Sequence, residues 1–213
     1  MMGYTARGGL RCCSTGSGPP LGALMDPFAY LSILTSIVLG LGITRVLTGC
    51  GKLLQVRQHT HLYWVHLLWA LNLFLYLVLN WWILFRWRSQ PEWSFFLFLF
   101  VLLSPTIGFL LSILLFPDPI EEQIDLRRHF YANRRWFFVL AALLAPIDAL
   151  DTLLKGWDHF VAQGPIYLLT LSLVLVLSLI AAVTRGEKYH SFFAVFFFAY
   201  ILAFISINLR VLG

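Results

Sequence analysis

The sequence predicts an all-α fold, a polytopic transmembrane helix bundle of about six spans with one amphipathic cytoplasmic helix in its longest loop. Hydrophobic residues make up 60% of the chain, charged residues 12%, and the mean hydropathy is +0.81. That is more apolar surface than a water-soluble chain of 213 residues buries. Apolar runs recur at lengths near the ~20 residues that carry a helix across about 30 Å of hydrocarbon. They are continuous, without the alternation of lipid-facing barrel strands, so helices follow.

Residues 1–24 are rich in Gly and Ser and lack the apolar core of a secretory signal, which predicts a disordered tail. Met25-Asp26-Pro27-Phe28 reads as a more natural beginning. The transmembrane domain, 25–213, then carries spans at 28–48, 63–85, 93–116, 136–154, 165–183 and 192–211. In the first span Ser32, Ser36, Gly40, Thr44 and Thr48 recur every fourth residue, a small-residue stripe expected to pack against another helix. Arg45 lies beside it, close enough to the span's end to snorkel. The second span contains Asn72 and Asn80, the third Ser104-Pro105-Thr106, and the sixth Ser206 and Asn208. Together they predict a polar interior. Trp64, Trp81, Trp82, Trp87, Trp93, Trp136 and Trp157 fall near span ends, where indoles anchor at headgroup depth.

The long loop before the fourth span begins with a helix-start signal: Asp118 as cap, Pro119 in the first turn and Glu121 three residues after the cap. Glu121, Asp125 and Arg128 then share one face and Ile120, Ile124 and Tyr131 another, the pattern of a helix lying on the membrane surface. A short likeness between 44–49 and 151–156, and between Ser94-Phe95-Phe96 and Ser191-Phe192-Phe193, suggests two inverted halves of three spans.

Positive residues set the orientation. Lys52, Arg57, Arg127, Arg128, Arg134, Arg135, Arg185 and Lys188 lie in loops on one side. Arg86, Arg88 and Lys155 lie on the other, joined there by Arg7 and Arg11 of the tail. The excess marks the cytoplasmic side and places both termini outside. The net charge of +5 is thus explained by orientation in a bilayer, with no basic stripe for nucleic acid. The expected partners are the lipid bilayer and a homo-oligomer or membrane-protein partner.

The costliest residues are Asp148 and Asp151 in the fourth span, each opposed by about 2.5–3.5 kcal/mol on insertion scales. Their spacing puts both on one face, and Pro146 just before them frees a backbone carbonyl. Counting along the spans places Asn80, Asn208 and Arg210 at the same depth. The expected polar intramembrane cluster is therefore Asp148, Asp151, Asn80, Asn208 and Arg210, with Arg210 on Asp151 and Asp148 bonding Asn80 or Asn208. His59, His61 and His66 make only a loose cluster, with His129 in the long loop. The pattern implies no metal site, no second well-buried histidine for a haem, and no cofactor. The common catalytic motifs are also absent, which argues against an enzyme.

Phe116-Pro117-Asp118, the stretch from Asp125 to Phe138, the opening Phe28-Ala29-Tyr30-Leu31 and the run from Trp64 to Trp69 resemble segments of an uncharacterised family of small bacterial multi-span inner membrane proteins. The resemblance implies a bacterial inner membrane location and no activity. Paired ionisable residues within a span favour a small transporter or channel using those Asp residues. The alternative is a non-catalytic membrane assembly or accessory protein that binds partners through its helices and cytoplasmic loop.

Overall fold

The computed structural model describes residues 27–56, 61–88, 90, 92–117 and 125–208 of the chain, the side chains of 207 and 208 excepted. Among the described residues there are seven α-helices and no strand: α1 Pro27–Gln55, α2 Trp64–Leu84, α3 Phe95–Leu115, α4 Leu126–Leu154, α5 Trp157–Ala162, α6 Gly164–Val183 and α7 Glu187–Asn208. A 3-10 turn, Phe85–Trp87, extends α2. All but α5 are long and apolar enough to cross a membrane.

Local chemistry explains the boundaries. Ser94 caps α3 by accepting from the Leu97 N–H at 3.2 Å, and Asp125 caps α4 by accepting from the Arg128 N–H at 3.0 Å. The helix expected from a cap at Asp118 is therefore corrected within the described residues: 126–135 is the first part of α4, continuous with the span expected at 136–154. Asp118, Pro119, Ile120, Glu121 and Ile124 lie outside the described residues, as do the tail and Met25-Asp26. Apolarity marks what sits in hydrocarbon, whereas Arg and Asn continue a helix well enough to carry it into the interface. Gly156 and Gly164 adopt positive φ, 127° and 71°, and these two turns set α5 off as a short break between α4 and α6.

Consecutive spans reverse direction, so the bundle has two distinguishable ends. One end gathers His61, Asp125, Arg134 and Thr184. The other gathers Trp87, Trp93 and Asp151. α1 packs along α2 and α3, α4 along α3 and α6, and α7 along α2. A main core centred on Trp69, Phe137, Phe138 and Phe193 is joined near the Trp87 end by a smaller cluster of Phe28, Leu31, Leu84, Trp87 and Val101. α1 and α3 run close together, but α4 and α7, their counterparts in an inverted repeat, meet chiefly through large side chains such as Phe138 on His190 and Phe193. The two halves are packed differently.

The small-residue stripe, expected to pack against other spans or another subunit, is not the face of α1 that packs within the bundle. The packed face of α1 is Leu31, Thr35, Leu39, Gly42, Val46, Gly49 and Leu53. Ser36, Thr44 and Thr48 are exposed, Ser32 and Gly40 half-exposed, and a Cβ on Gly40 would meet nothing within 4 Å. Gly42 and Gly49 are the close-approach glycines, against Leu77 and Phe116. A four-residue period selects a helix face without saying which neighbour covers it.

Candidate functional site

A cavity of about 220 Å³ lies inside the bundle, bordered by α2, α3, α4, α6 and α7. On α2, Asn72, Tyr76 and Asn80 follow one another at four-residue steps and so share the face turned to it. On α4 the same role falls to Ala141, Leu144, Ala145, Asp148 and Asp151. The two alanines leave room where larger side chains would close it. Leu143, Leu150, Leu153 and Leu154 point to the exterior. Asp148 keeps accessible surface and borders the cavity.

The two carboxylates are held differently. Asp151 accepts from the Trp87 indole N–H at 2.9 Å and forms an ion pair with Lys155, one turn on along α4. The Lys155 ammonium is largely buried and stands 4.9 Å from the centre of the Trp87 ring, a cation–π contact that closes the trio. Asp148 Oδ2 instead accepts from the Tyr167 hydroxyl at 2.8 Å. With its single proton given to Asp148, Tyr167 accepts from Thr152 at 2.9 Å. No ion-pair partner of Asp148 is found among the described residues; Lys155 and Arg86 act on it only at longer range.

These positions correct the expected pairings. Asp148 is bonded by Tyr167 of α6, and not by Asn80, which donates to Ser104 at 2.6 Å and Tyr76 at 3.3 Å. Tyr76 and Ser104 share a further bond of 2.6 Å. Asn80 nevertheless borders the same cavity as both aspartates. The carboxylate of Asp151 is occupied by Lys155 and Trp87; Arg210 and the Asn208 side chain lie outside the described residues. A count of depth along parallel spans passes over the antiparallel neighbour α6, which brings Tyr167 to Asp148. Lys155 carried a readable signal, since Asp and Lys at i and i+4 face each other. Trp87 is likewise corrected from an interfacial anchor to a buried donor, 2% exposed, whereas Trp64, Trp81, Trp136 and Trp157 are exposed at span ends.

Two residues bordering the cavity each keep a buried group unsatisfied. Asn72 donates to the Ala194 carbonyl at 3.0 Å, yet its Oδ1 is buried with no partner, and so is the Trp69 indole N–H.

The opposite end of the bundle uses its basic residues to close helix ends. Arg45 donates to the Phe116 carbonyl at 3.3 Å and His129 to the Leu114 carbonyl at 3.2 Å, both at the C-terminus of α3. Arg134 and His190 donate to the Thr184 carbonyl at the end of α6, at 3.2 and 3.0 Å. His66 and His190 are both fully buried, a correction to the expectation of no second buried histidine. Both pack on Phe130, and His66 also meets Phe116 edge-on. His61 is exposed and apart from them, and His59 lies outside the described residues. No group of three or more His, Cys, Asp or Glu suited to a metal occurs among the described residues. Just outside α2, burial and the hydrogen bond with Tyr131 push the Tyr63 phenol above its ordinary range.

No protein-family model matches the chain, and neither a curated protein nor a solved structure matches it.

Proposed function

We propose that this chain is a small transporter or channel of a bacterial inner membrane, with Asp148 as the group that binds the moving species. One observation supports the reading most: Asp148 faces a cavity within the bundle and has no counter-ion among the described residues, while Asp151 three residues away is paired with Lys155. A carboxylate kept among spans against about 2.5–3.5 kcal/mol, without a fixed ion-pair partner, is suited to taking a proton or a cation in transit. The Tyr167 hydroxyl holds it in place while leaving its second oxygen for that task.

The test is flux in proteoliposomes, with an internal pH dye for protons and radiolabelled cations for solutes. Wild-type protein should carry a flux that Asp148→Asn abolishes while the variant keeps its elution profile and helix content. Equal flux in the two proteins would overturn the reading. The accessory-protein reading draws on the outward stripe of Ser36, Gly40, Thr44 and Thr48, which leaves room for a second helix to approach α1 closely. Stable co-purification of another membrane protein, lost on Gly40→Leu, would favour it.

A further inference from the structure

Building on the transport reading, we propose that the cavity binds an arylalkyl ammonium, a small organic monocation whose ammonium pairs with Asp148 and whose ring lies against Phe197 and Tyr200. Charge comes first. Both carboxylates border the cavity, and no Lys or Arg does among the described residues. Lys155 cancels Asp151 from outside the lining, and Arg86, the other attracting cation, sits on the 3-10 turn with its side chain exposed. One negative charge is left facing the space, which selects a monocation.

The walls then decide which kind. A hard metal cation wants about six or more oxygen ligands. Here the hydroxyls of Tyr76 and Ser104 and the amide of Asn80 are bonded to one another, and most of the remaining lining is aromatic or aliphatic. Aromatic faces attract a diffuse organic cation and also bury the apolar body attached to it. Size agrees, since a cavity of about 150 Å³ suffices for benzene and this one is about 220 Å³.

An independent observation points to an occupant. Asn72 Oδ1 and the Trp69 indole N–H are an unused acceptor and donor, both buried, on residues that border the cavity one turn apart on α2. The eight residues from Asn72 to Asn80 put them about 12 Å deeper than the Asn80 level. Groups left dry and unpaired carry a desolvation cost that a polar substituent on a ligand, or a water carried in with it, removes. Asp148 therefore marks the polar end of a space with apolar walls, and this unsatisfied pair lies buried toward its deeper end.

The experiment is calorimetric titration of the full chain in detergent with phenethylammonium, with 2-phenylethanol as its neutral counterpart and with sodium chloride. Phenethylammonium should bind at least tenfold more tightly than the alcohol, resist displacement by sodium, and lose at least tenfold in affinity on Asp148→Asn. The comparison of ligands on wild-type protein stands even if that variant fails to fold. Equal binding of the alcohol, displacement by sodium, or no binding of the ammonium would overturn the proposal. Asp148-dependent proton flux with no ammonium binding would sink this ligand class and leave the transport reading intact. Ammonium binding with no flux of any kind would do the reverse.

Discussion

Gly49→Ala tests the packing of α1 directly. A Cβ built on Gly49 stands 2.5 Å from Cγ of Phe116 and 2.6 and 2.7 Å from the two adjacent ring carbons. Carbon atoms pack best at about 3.5–4.0 Å, so roughly 1 Å has to be taken up. Phe116 has little room to give: it is 1% exposed, edge-on to His66, and its carbonyl accepts from Arg45. The strain therefore falls on the spacing of α1 and α3. Overpacking of this kind costs about 1–3 kcal/mol, which for a chain of this size is a loss of roughly 3–10 °C in Tm. Gly40→Ala meets nothing and should be neutral or stabilising by up to about 1 kcal/mol through helix propensity. Thermal unfolding of both variants in one detergent, followed by tryptophan fluorescence, makes the comparison. A Gly49→Ala protein melting with the wild type, or a Gly40→Ala protein losing as much, would refute this account of the helix face.

Lys155→Met should destabilise by about 3–5 kcal/mol because it strands Asp151, and adding Asp151→Asn should recover most of the loss; thermal melts of the single and double variants check the order. Tyr167→Phe removes the donor to Asp148, a hydrogen bond to a charged group worth about 1.5–3 kcal/mol, and should lower Tm without altering helix content by circular dichroism. Orientation is tested in intact cells in a background lacking the native cysteines: an impermeant thiol reagent should label Gln90→Cys and spare Glu122→Cys, and the opposite pattern would invert the expected topology.

The long helices were legible because hydrocarbon imposes a strong and local constraint: each of the six helices long and apolar enough to cross a membrane overlaps a run visible as uninterrupted apolar sequence. Helix ends were less so, since Leu126 to Arg135 continues α4 through residues too polar to register as a span. The aspartates stood out by cost alone, but their partners did not. Lys155 was within reach of an i, i+4 argument, whereas Tyr167 depends on how α4 and α6 are rotated against each other. Likewise Gly42 and Gly49 were overshadowed by the more regular stripe at Ser32, Ser36, Gly40, Thr44 and Thr48, because periodicity finds faces and only packing tells which face is inside. Trp87 and Trp69 read like any tryptophan near a span end or within a core until their indole N–H groups were located.

The way the two aspartates are held also bears on how the protein is made. Asp151 finds Lys155 within its own helix, so that pair can form as soon as one turn of α4 exists and needs nothing from the rest of the chain. Asp148 has no such local remedy, because the hydroxyl that bonds it belongs to Tyr167, beyond the Gly156 and Gly164 turns. Left alone in lipid, α4 would carry that carboxylate at a cost of about 2.5–3.5 kcal/mol. Entry of α4 and α6 as one hairpin removes the exposure, with α5 short enough to serve as its bend. The insertion machinery is therefore expected to retain α4 until α6 has emerged, making the fourth and fifth spans a single unit of biogenesis.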